Sequence, residues 1–284
     1  MPMSYQDRIE RVLAHIRLNL AGDLSLDCLA DIAALSRFHF HRTFVAMTGE
    51  TVAEAVRRAR LNRGAQLLSA TTRPLPDIAA EVGYPNTDSF TRAFREAFGK
   101  PPSEIRAGTI MQRPLLPQRK GLLPMHDVSI QTLPAQRILA LPHRGPYVEI
   151  GATFRALWVK ASNSGLVSHI NGPAVALFYD DPQETPAQDL RGHAGLSVDA
   201  DAPVPDGFDD LLRPAGRHAV LHLKGPYTGI PAAWSWLYGT WLPQSGEVPA
   251  DSAPFELYPN GPDDTPPAEL ITKICVPLRE QGHP

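Results

Sequence analysis

The chain has 284 residues, 43% of them hydrophobic and 20% charged, enough to bury a sizeable core in one large domain or two ordinary ones. Its formal net charge of −3 hides two opposed regions: residues 1–120 carry net +5 and residues 121–284 net −8, so any polyanion belongs to the front and not to the acidic back. Two cysteines without metal spacing argue against a disulfide framework or a structural zinc, and no apolar stretch approaches the roughly 20 residues that span a bilayer. With no basic-then-apolar leader at the start, the expectation is a soluble chain in a reducing cytoplasm, with no membrane partner and no cofactor.

Composition also marks a boundary. Only four of the 29 prolines fall in residues 1–100, so a helix-compatible segment precedes one rich in helix breakers. The apolar periodicity predicts a short helix from Leu26 to Ala33, with Cys28 as a small core residue, then a tight connection closed by Ser36 and a second helix. A long helix follows from Thr51 to Leu68, carrying Arg57, Arg58, Arg60 and Arg63 and ending at the Thr71-Thr72-Arg73-Pro74 breaker. The pattern then repeats: a helix from Asp77 to Val82, a connection closed by Asn86, and another helix.

An offset of 50 residues pairs Asp27 with Asp77, Ala30 with Ala80, Phe40 with Phe90, Arg42 with Arg92, Phe44 with Phe94 and Gly49 with Gly99. Ser36 and Asn86 are good N-caps. Phe40 and Phe44, like Phe90 and Phe94, are four apart and share an inward face. The outward positions are polar: Arg37, His41 and Arg42 in the first copy, and Thr87, Asp88, Ser89, Thr91, Arg92 and Arg95 in the second. That is the distribution a recognition helix needs in a DNA major groove, and duplicated units with such faces weigh against an ordinary helical bundle. His39 and His41 sit at i, i+2, on different helix faces, which is poor spacing for a metal.

The runs Ser36-Arg37-Phe38-His39-Phe40-His41-Arg42-Thr43-Phe44, Ile78 to Tyr84, Ser89 to Arg95 and Phe98 to Ser103 closely resemble the AraC/XylS DNA-binding domain over residues 5–108. The resemblance implies an all-α double helix-turn-helix domain, residues 1–108, on double-stranded promoter DNA, with RNA polymerase as a partner and activation as the outcome. By position it implies contacts from Phe38, His41 and Arg42, and from Thr87, Asp88, Ser89 and Arg92, with Ser36 and Asn86 opening the two helices. Asp88 departs from the neutral polar residue often found there; a carboxylate is repelled by phosphate but can accept from a cytosine amino group. Arg42 and Arg92 could each hold a phosphate or read guanine.

A Pro- and Gly-punctuated linker, roughly Ala107 to Met125 and bounded as residues 109–125, leads to a second repeat, now at 80 residues. Arg137 pairs with Arg217, Leu141 with Leu221, Gly145-Pro146-Tyr147 with Gly225-Pro226-Tyr227, Phe154 with Trp234 and Trp158 with Tyr238. Each copy reads as a strand (Gln136–His143; Arg217–Lys224), a Gly-Pro turn, an aromatic-bearing helix and two strands. The strands are Ala174–Tyr179 and Ala194–Val198 in one copy, Phe255–Tyr258 and Glu269–Val276 in the other. The fold expected is therefore two-domain, an α unit followed by an α+β domain of duplicated β-α-β-β over residues 126–280, its helices on one face of a sheet and a cleft on the other.

This second organisation resembles the GyrI-like, or SOUL-like SHS2, effector-binding domain, which implies a cleft for hydrophobic, often cationic, small molecules lined by aromatics and a buried glutamate. By position, Glu256 is the candidate acid, with Tyr147, Phe154, Trp158, Tyr179, Trp234, Tyr238 and Tyr258 as candidate walls. Period-2 alternation leaves Glu256 free to face either that cleft or solvent. Two other roles stay open for this half, a hydrolase with Glu256 as base and a protein-interaction module, although no Ser/His/Asp set accompanies His143, His218 and His222.

Overall fold

A computed structural model describes residues 3–106 and 126–280; the linker at 109–125 lies outside the described residues. Among the described residues, seven helices form the front unit. Helix α1 (Tyr5–Leu18) opens on a reciprocal Ser4/Asp7 capping box, and α2 (Leu26–Ala33) is capped by Ser25. Helices α3 (Arg37–Thr48), α4 (Val52–Ala70), α5 (Leu75–Glu81), α6 (Thr87–Phe98) and α7 (Pro102–Arg106) follow. The four phenylalanines Phe40, Phe44, Phe90 and Phe94 are all at 0% exposure, the inward faces read from the sequence.

The two helix-turn-helix connections solve the same geometric problem differently. In the second, Gly83 adopts φ +80°, and a Cβ there would lie 2.2 Å from the carbonyl oxygen of Leu20, so only glycine fits. In the first, Ala34 holds φ +52° in the left-handed region. Arg8 of α1 supports that strained turn, its buried guanidinium donating to the carbonyls of Ala33 (2.8 Å) and Ala34 (3.0 Å).

The back domain contains β1 (Asp127–Leu133), β2 (Gln136–Arg144), α8 (Ile150–Asn163), β3 (Ile170–Phe178), β4 (Arg191–Val198), β5 (Asp209–Arg213) and β6 (Gly216–Lys224). Helix α9 (Ile230–Trp236) then runs through a π-helical turn (Leu237–Trp241) into α10 (Leu242–Ser245), before β7 (Phe255–Tyr258) and β8 (Ile271–Pro277). All eight strands form one antiparallel sheet in the order β1-β6-β8-β7-β3-β4-β2-β5. The duplication is thus a five-element unit, β-β-α-β-β, and its first strand changes sides: β1 pairs with β6 of the second copy, and β5 with β2 of the first.

The sheet's two faces differ from expectation. Both helices do share one face, but the other is no cleft. It is filled by Ile138, Ala140, Val175, Val220, Phe255 and Cys275, drawn from strands across the sheet. The sheet curls to bring them together, and the Arg213 guanidinium of edge strand β5 lies 5.2 Å from the centre of the Phe255 ring on β7, four strands away. At about 4.8 Å between strands, a flat sheet would hold them far beyond reach. The aromatic groups expected to line a cleft lie instead on the helical face.

A single apolar cluster runs from the front unit into the back domain. It joins Tyr5, Leu29, Phe40 and Phe44 to Ala219, Leu221, Trp236, Leu237, Tyr238 and Ile274. Helix α3 packs on the π-helical turn, and Gly239 is what permits the approach: a Cβ at that position would lie 2.8 Å from the carbonyl oxygen of Ala46. Helix α1 adds a hydrogen bond, the Tyr5 hydroxyl donating to the carbonyl of Glu247 (3.0 Å).

Candidate DNA-reading face and effector site

Helix α6 presents the surface expected of a reader. Asp88, Arg92 and Arg95 are exposed, Thr87 and Thr91 half-buried, and Asp88, Thr91, Arg92, Arg95 and Glu96 line an open groove. Asn86 and Ser89 are occupied in starting the helix: the Asn86 Oδ1 accepts from the Ser89 amide (2.8 Å), and the Ser89 hydroxyl donates to the Asn86 carbonyl (2.9 Å). Ser36 stands at the matching place before α3, with an extended backbone, but its side chain makes no capping bond.

Helix α3 is placed otherwise. Arg37 is exposed and Phe38 half-buried, but His41, expected on the solvent side, is at 0% exposure. It faces away from its own unit's core, as its spacing requires, and is covered by the segment that follows β3. The His41 Nδ1 lies 3.1 Å from a carboxylate oxygen of Asp181, and its Nε2 lies 3.0 Å from one of Glu184. The groups are not aligned as directed hydrogen bonds, so these are ion pairs. Burial opposes the charge on His41, yet the two flanking carboxylates outweigh it and raise the imidazole to about 9.

Arg42 is shared between the same segment and an aromatic cluster. Its Nη2 donates to the carbonyl of Asp180 (3.0 Å), its Nε lies 3.9 Å from Asp181, and its guanidinium carbon sits 5.4 Å from the centre of the Trp234 ring. His39, also at 0% exposure, meets the carbonyl of Ser252 through Nε2 (3.3 Å) and the Tyr238 hydroxyl through Nδ1 (2.6 Å). A carbonyl only accepts, so Nε2 carries the proton and Nδ1 accepts from Tyr238. Burial, aided by Arg42, lowers His39 to about 3, so it is neutral.

A cluster of aromatic side chains surrounds Glu256. Along β7, Glu256 and Tyr258 point to the helical face while Phe255 and Leu257 join the opposite cluster, which settles the alternation left open by the sequence. Glu256 is 3% exposed and accepts from the Trp234 indole N–H (2.6 Å) and from the Tyr258 hydroxyl. Burial pushes its carboxyl above the usual carboxylate range, against the pull of Tyr258, Trp234 and Arg42. Around it, Tyr258 meets Phe154 of α8 edge-on at 5.5 Å and Tyr227 at 5.6 Å; Trp234 meets Phe178 at 6.4 Å, and Phe178 meets Tyr147 at 4.8 Å.

Of the expected walls, Tyr147, Phe154, Trp234 and Tyr258 thus converge with Glu256. Tyr238 stacks on Trp234 (5.9 Å) and on His39 (5.8 Å), at the seam between the two units. Trp158 is 42% exposed, and Tyr179 packs edge-on against His193. Phe178 and Tyr227 were missed. Tyr227 is the repeat mate of Tyr147, a signal that was available, and Phe178 is the alternate neighbour of Tyr179 on the same strand. Tyr147 also holds the acidic segment, its hydroxyl donating to the Arg191 carbonyl (2.7 Å) and accepting from the Asp180 amide (3.1 Å). Elsewhere among the described residues, His169, Asp199 and Asp201 each offer one atom to a group 4.8 Å across, with Asp199 already engaged by Asn171.

The sequence matches two family profiles: a GyrI-like small molecule binding domain over residues 126–279 and a helix-turn-helix domain over residues 29–108. Transcriptional regulator Rob of Salmonella typhimurium is 31% identical over 283 residues, covering 95% of this chain and 98% of that protein. Right origin-binding protein of Escherichia coli is 24% identical over 290 residues, with the same two coverages. Regulatory protein SoxS of Escherichia coli is 34% identical over 104 residues, 37% of this chain and 97% of its own length. No helix among the described residues is long and apolar enough to cross a membrane. With a double helix-turn-helix front, a duplicated sheet domain behind it and a relative aligned along almost its whole length, the chain belongs to the AraC-type DNA-binding transcriptional regulators that carry a C-terminal GyrI-like small-molecule-binding domain.

Proposed function

We propose that the chain is a cytoplasmic transcription activator that reads promoter DNA through α3 and α6, touches RNA polymerase once bound, and is modulated by a hydrophobic, cationic small molecule held at Glu256. The observation that carries the effector class is the buried Glu256 carboxylate, held by Trp234 and Tyr258 inside a ring of aromatic side chains. Burial makes that charge costly, and a lipophilic cation offsets the cost while each ring face adds ~0.5–2 kcal/mol. The net −8 of residues 121–284 favours approach of a cation. Burial raises the Glu256 carboxyl and a cation beside it pulls the other way, so affinity for the cation should rise with pH until Glu256 is fully ionised.

Calorimetric titration of the full chain with tetraphenylphosphonium tests this reading. Saturable binding, weakened about tenfold in Glu256→Gln, is the expected result. Equal affinity in both proteins would remove Glu256 from the site. The same incubations, followed by mass spectrometry with an ester-bearing cationic dye, check that the site binds without turnover; accumulation of product would make it a hydrolase. The DNA half of the reading rests on the exposed face of α6 and on the resemblance of α3 to its counterparts. Selection from a random duplex pool should return an asymmetric motif whose two blocks lie about one helical turn, ~34 Å, apart.

A further inference from the structure

The polar side chains of α3 that the DNA reading assigns to the major groove are the ones engaged by the segment Asp180–Glu184. His41 has a carboxylate at each ring nitrogen, at 3.1 and 3.0 Å, and Arg42 meets a backbone carbonyl at 3.0 Å and the Asp181 carboxylate at 3.9 Å. Arg37 adds its field to Asp180. The segment is tied at several points. Asp180 is gripped by Arg191 through paired contacts of 2.8 and 3.0 Å, Asp181 accepts from the Gln183 amide (2.9 Å), and Tyr147 of the aromatic cluster ties the Asp180 backbone in place. Acidic oxygens fixed at hydrogen-bonding distance over the cationic face of a recognition helix are what a phosphate backbone supplies.

We propose that the Asp180–Glu184 segment is an intramolecular stand-in for DNA phosphate, so that the first helix-turn-helix unit is occupied by its own effector domain and DNA must displace that domain to engage α3. The inference rests on α3 being a DNA reader. It makes the second unit, with Arg92 and Arg95 exposed, the part that docks first, and the first unit a gated contributor. It also sets the gate beside the proposed effector site. Arg42 rests on the Trp234 ring whose indole N–H holds Glu256, and Phe178 of the aromatic cluster lies two residues before Asp180.

The test compares duplex affinity and its salt dependence in full-length proteins, using both a random-sequence 40-base-pair duplex and one recovered by selection. Asp181→Asn/Glu184→Gln removes the competing charge. Gly239→Leu changes no charge but forces α3 off the π-helical turn, since there is no room for even a Cβ beside Ala46. Both should bind about tenfold tighter than wild type, and the slope of log affinity against log salt should steepen by about 0.9 for each phosphate newly engaged. Asp263→Asn/Asp264→Asn makes the same change in net charge at exposed sites away from α3 and should leave affinity near that of wild type. Equal affinity of wild type, the double variant and Gly239→Leu overturns the proposal, as does a gain matched by the remote control. Failure of every protein to bind any duplex would instead bring down the DNA reading on which the proposal rests, and an Arg92→Ala loss seen in all backgrounds keeps that reading intact.

Discussion

The second helices of the two helix-turn-helix units, α3 and α6, share a sequence repeat but not an environment. Phe40 and Phe44 in α3 are as buried as Phe90 and Phe94 in α6, so the inward halves are interchangeable in design. The outward halves diverge. Arg92 stands in solvent over an open groove, whereas its repeat mate Arg42 has a side chain only 14% exposed, laid against Trp234 and Asp181. A helix's period decides which residues leave its own core; what then covers them is decided by the rest of the chain. Duplication of the motif therefore does not duplicate the exposure of its outward face.

The strongest way to break the comparison is to damage the halves that are alike. Phe44→Ala and Phe94→Ala should each cost about 3–5 kcal/mol of stability in urea unfolding, because both rings are fully buried; a cost at one site only would mean that the two units do not share a packing scheme. The next effect lies on the unlike side. The stability of the folded chain should fall as pH rises from about 6.5 to 9, by on the order of 2–3 kcal/mol, because His41 is held charged in the folded protein and titrates near 6.5 when unfolded. The sign follows from the raised folded pKa: the contribution is complete below the unfolded value and is lost as pH passes through about 9. Denaturant midpoints measured across that range in wild type and His41→Gln check it, and a slope that survives in His41→Gln assigns the effect elsewhere. No counterpart is expected from α6, where the aligned residue is Thr91.

Smaller differences sharpen the same contrast. Arg92→Ala should weaken binding to a selected duplex by ~1–3 kcal/mol, and Arg42→Ala by less, since Arg42 already has partners inside the protein. Equal losses by electrophoretic shift would mean that both helices meet DNA alike. The smallest expected change concerns the repeat mates Trp158 and Tyr238 in the back domain. Tyr238 is covered by α3 and bonded to His39, whereas Trp158→Ser should alter stability by no more than about 0.5 kcal/mol. A larger cost in thermal unfolding would reveal a partner for α8.

Most of the regular structure was legible because it is dictated locally. The helices around the paired phenylalanines and the strand leading into each Gly-Pro turn follow from periodicity and repetition, whereas Glu256 was named by the family resemblance and alternation left its facing open. Strands β1 and β5 were not read, although Asp127–Leu133 alternates well enough in hindsight. Their partners are β6 and β2, some 90 and 70 residues away, and Asp-Asp-Leu-Leu-Arg has no pattern of its own to show that it belongs in a sheet. That the aromatic groups gather on the helical face was not legible for a related reason, since the curl that fills the far face is a property of the whole sheet. Least legible was the burial of His41. Its two acids lie some 140 residues along the chain in a segment that reads as an ordinary polar loop, and only the cluster Asp180, Asp181 and Glu184 beside a strand end hinted at a cationic neighbour.

The exchange of first strands between the two repeats bears on how this domain comes into being during synthesis. With β1 waiting for β6 and β5 laid on β2, neither copy can complete its sheet from its own residues. A ribosome that has released only the first copy has released an edge without a partner. The domain should therefore acquire protection from protease in one late step, when the last strands emerge, and at the slow rate set by its long-range pairings.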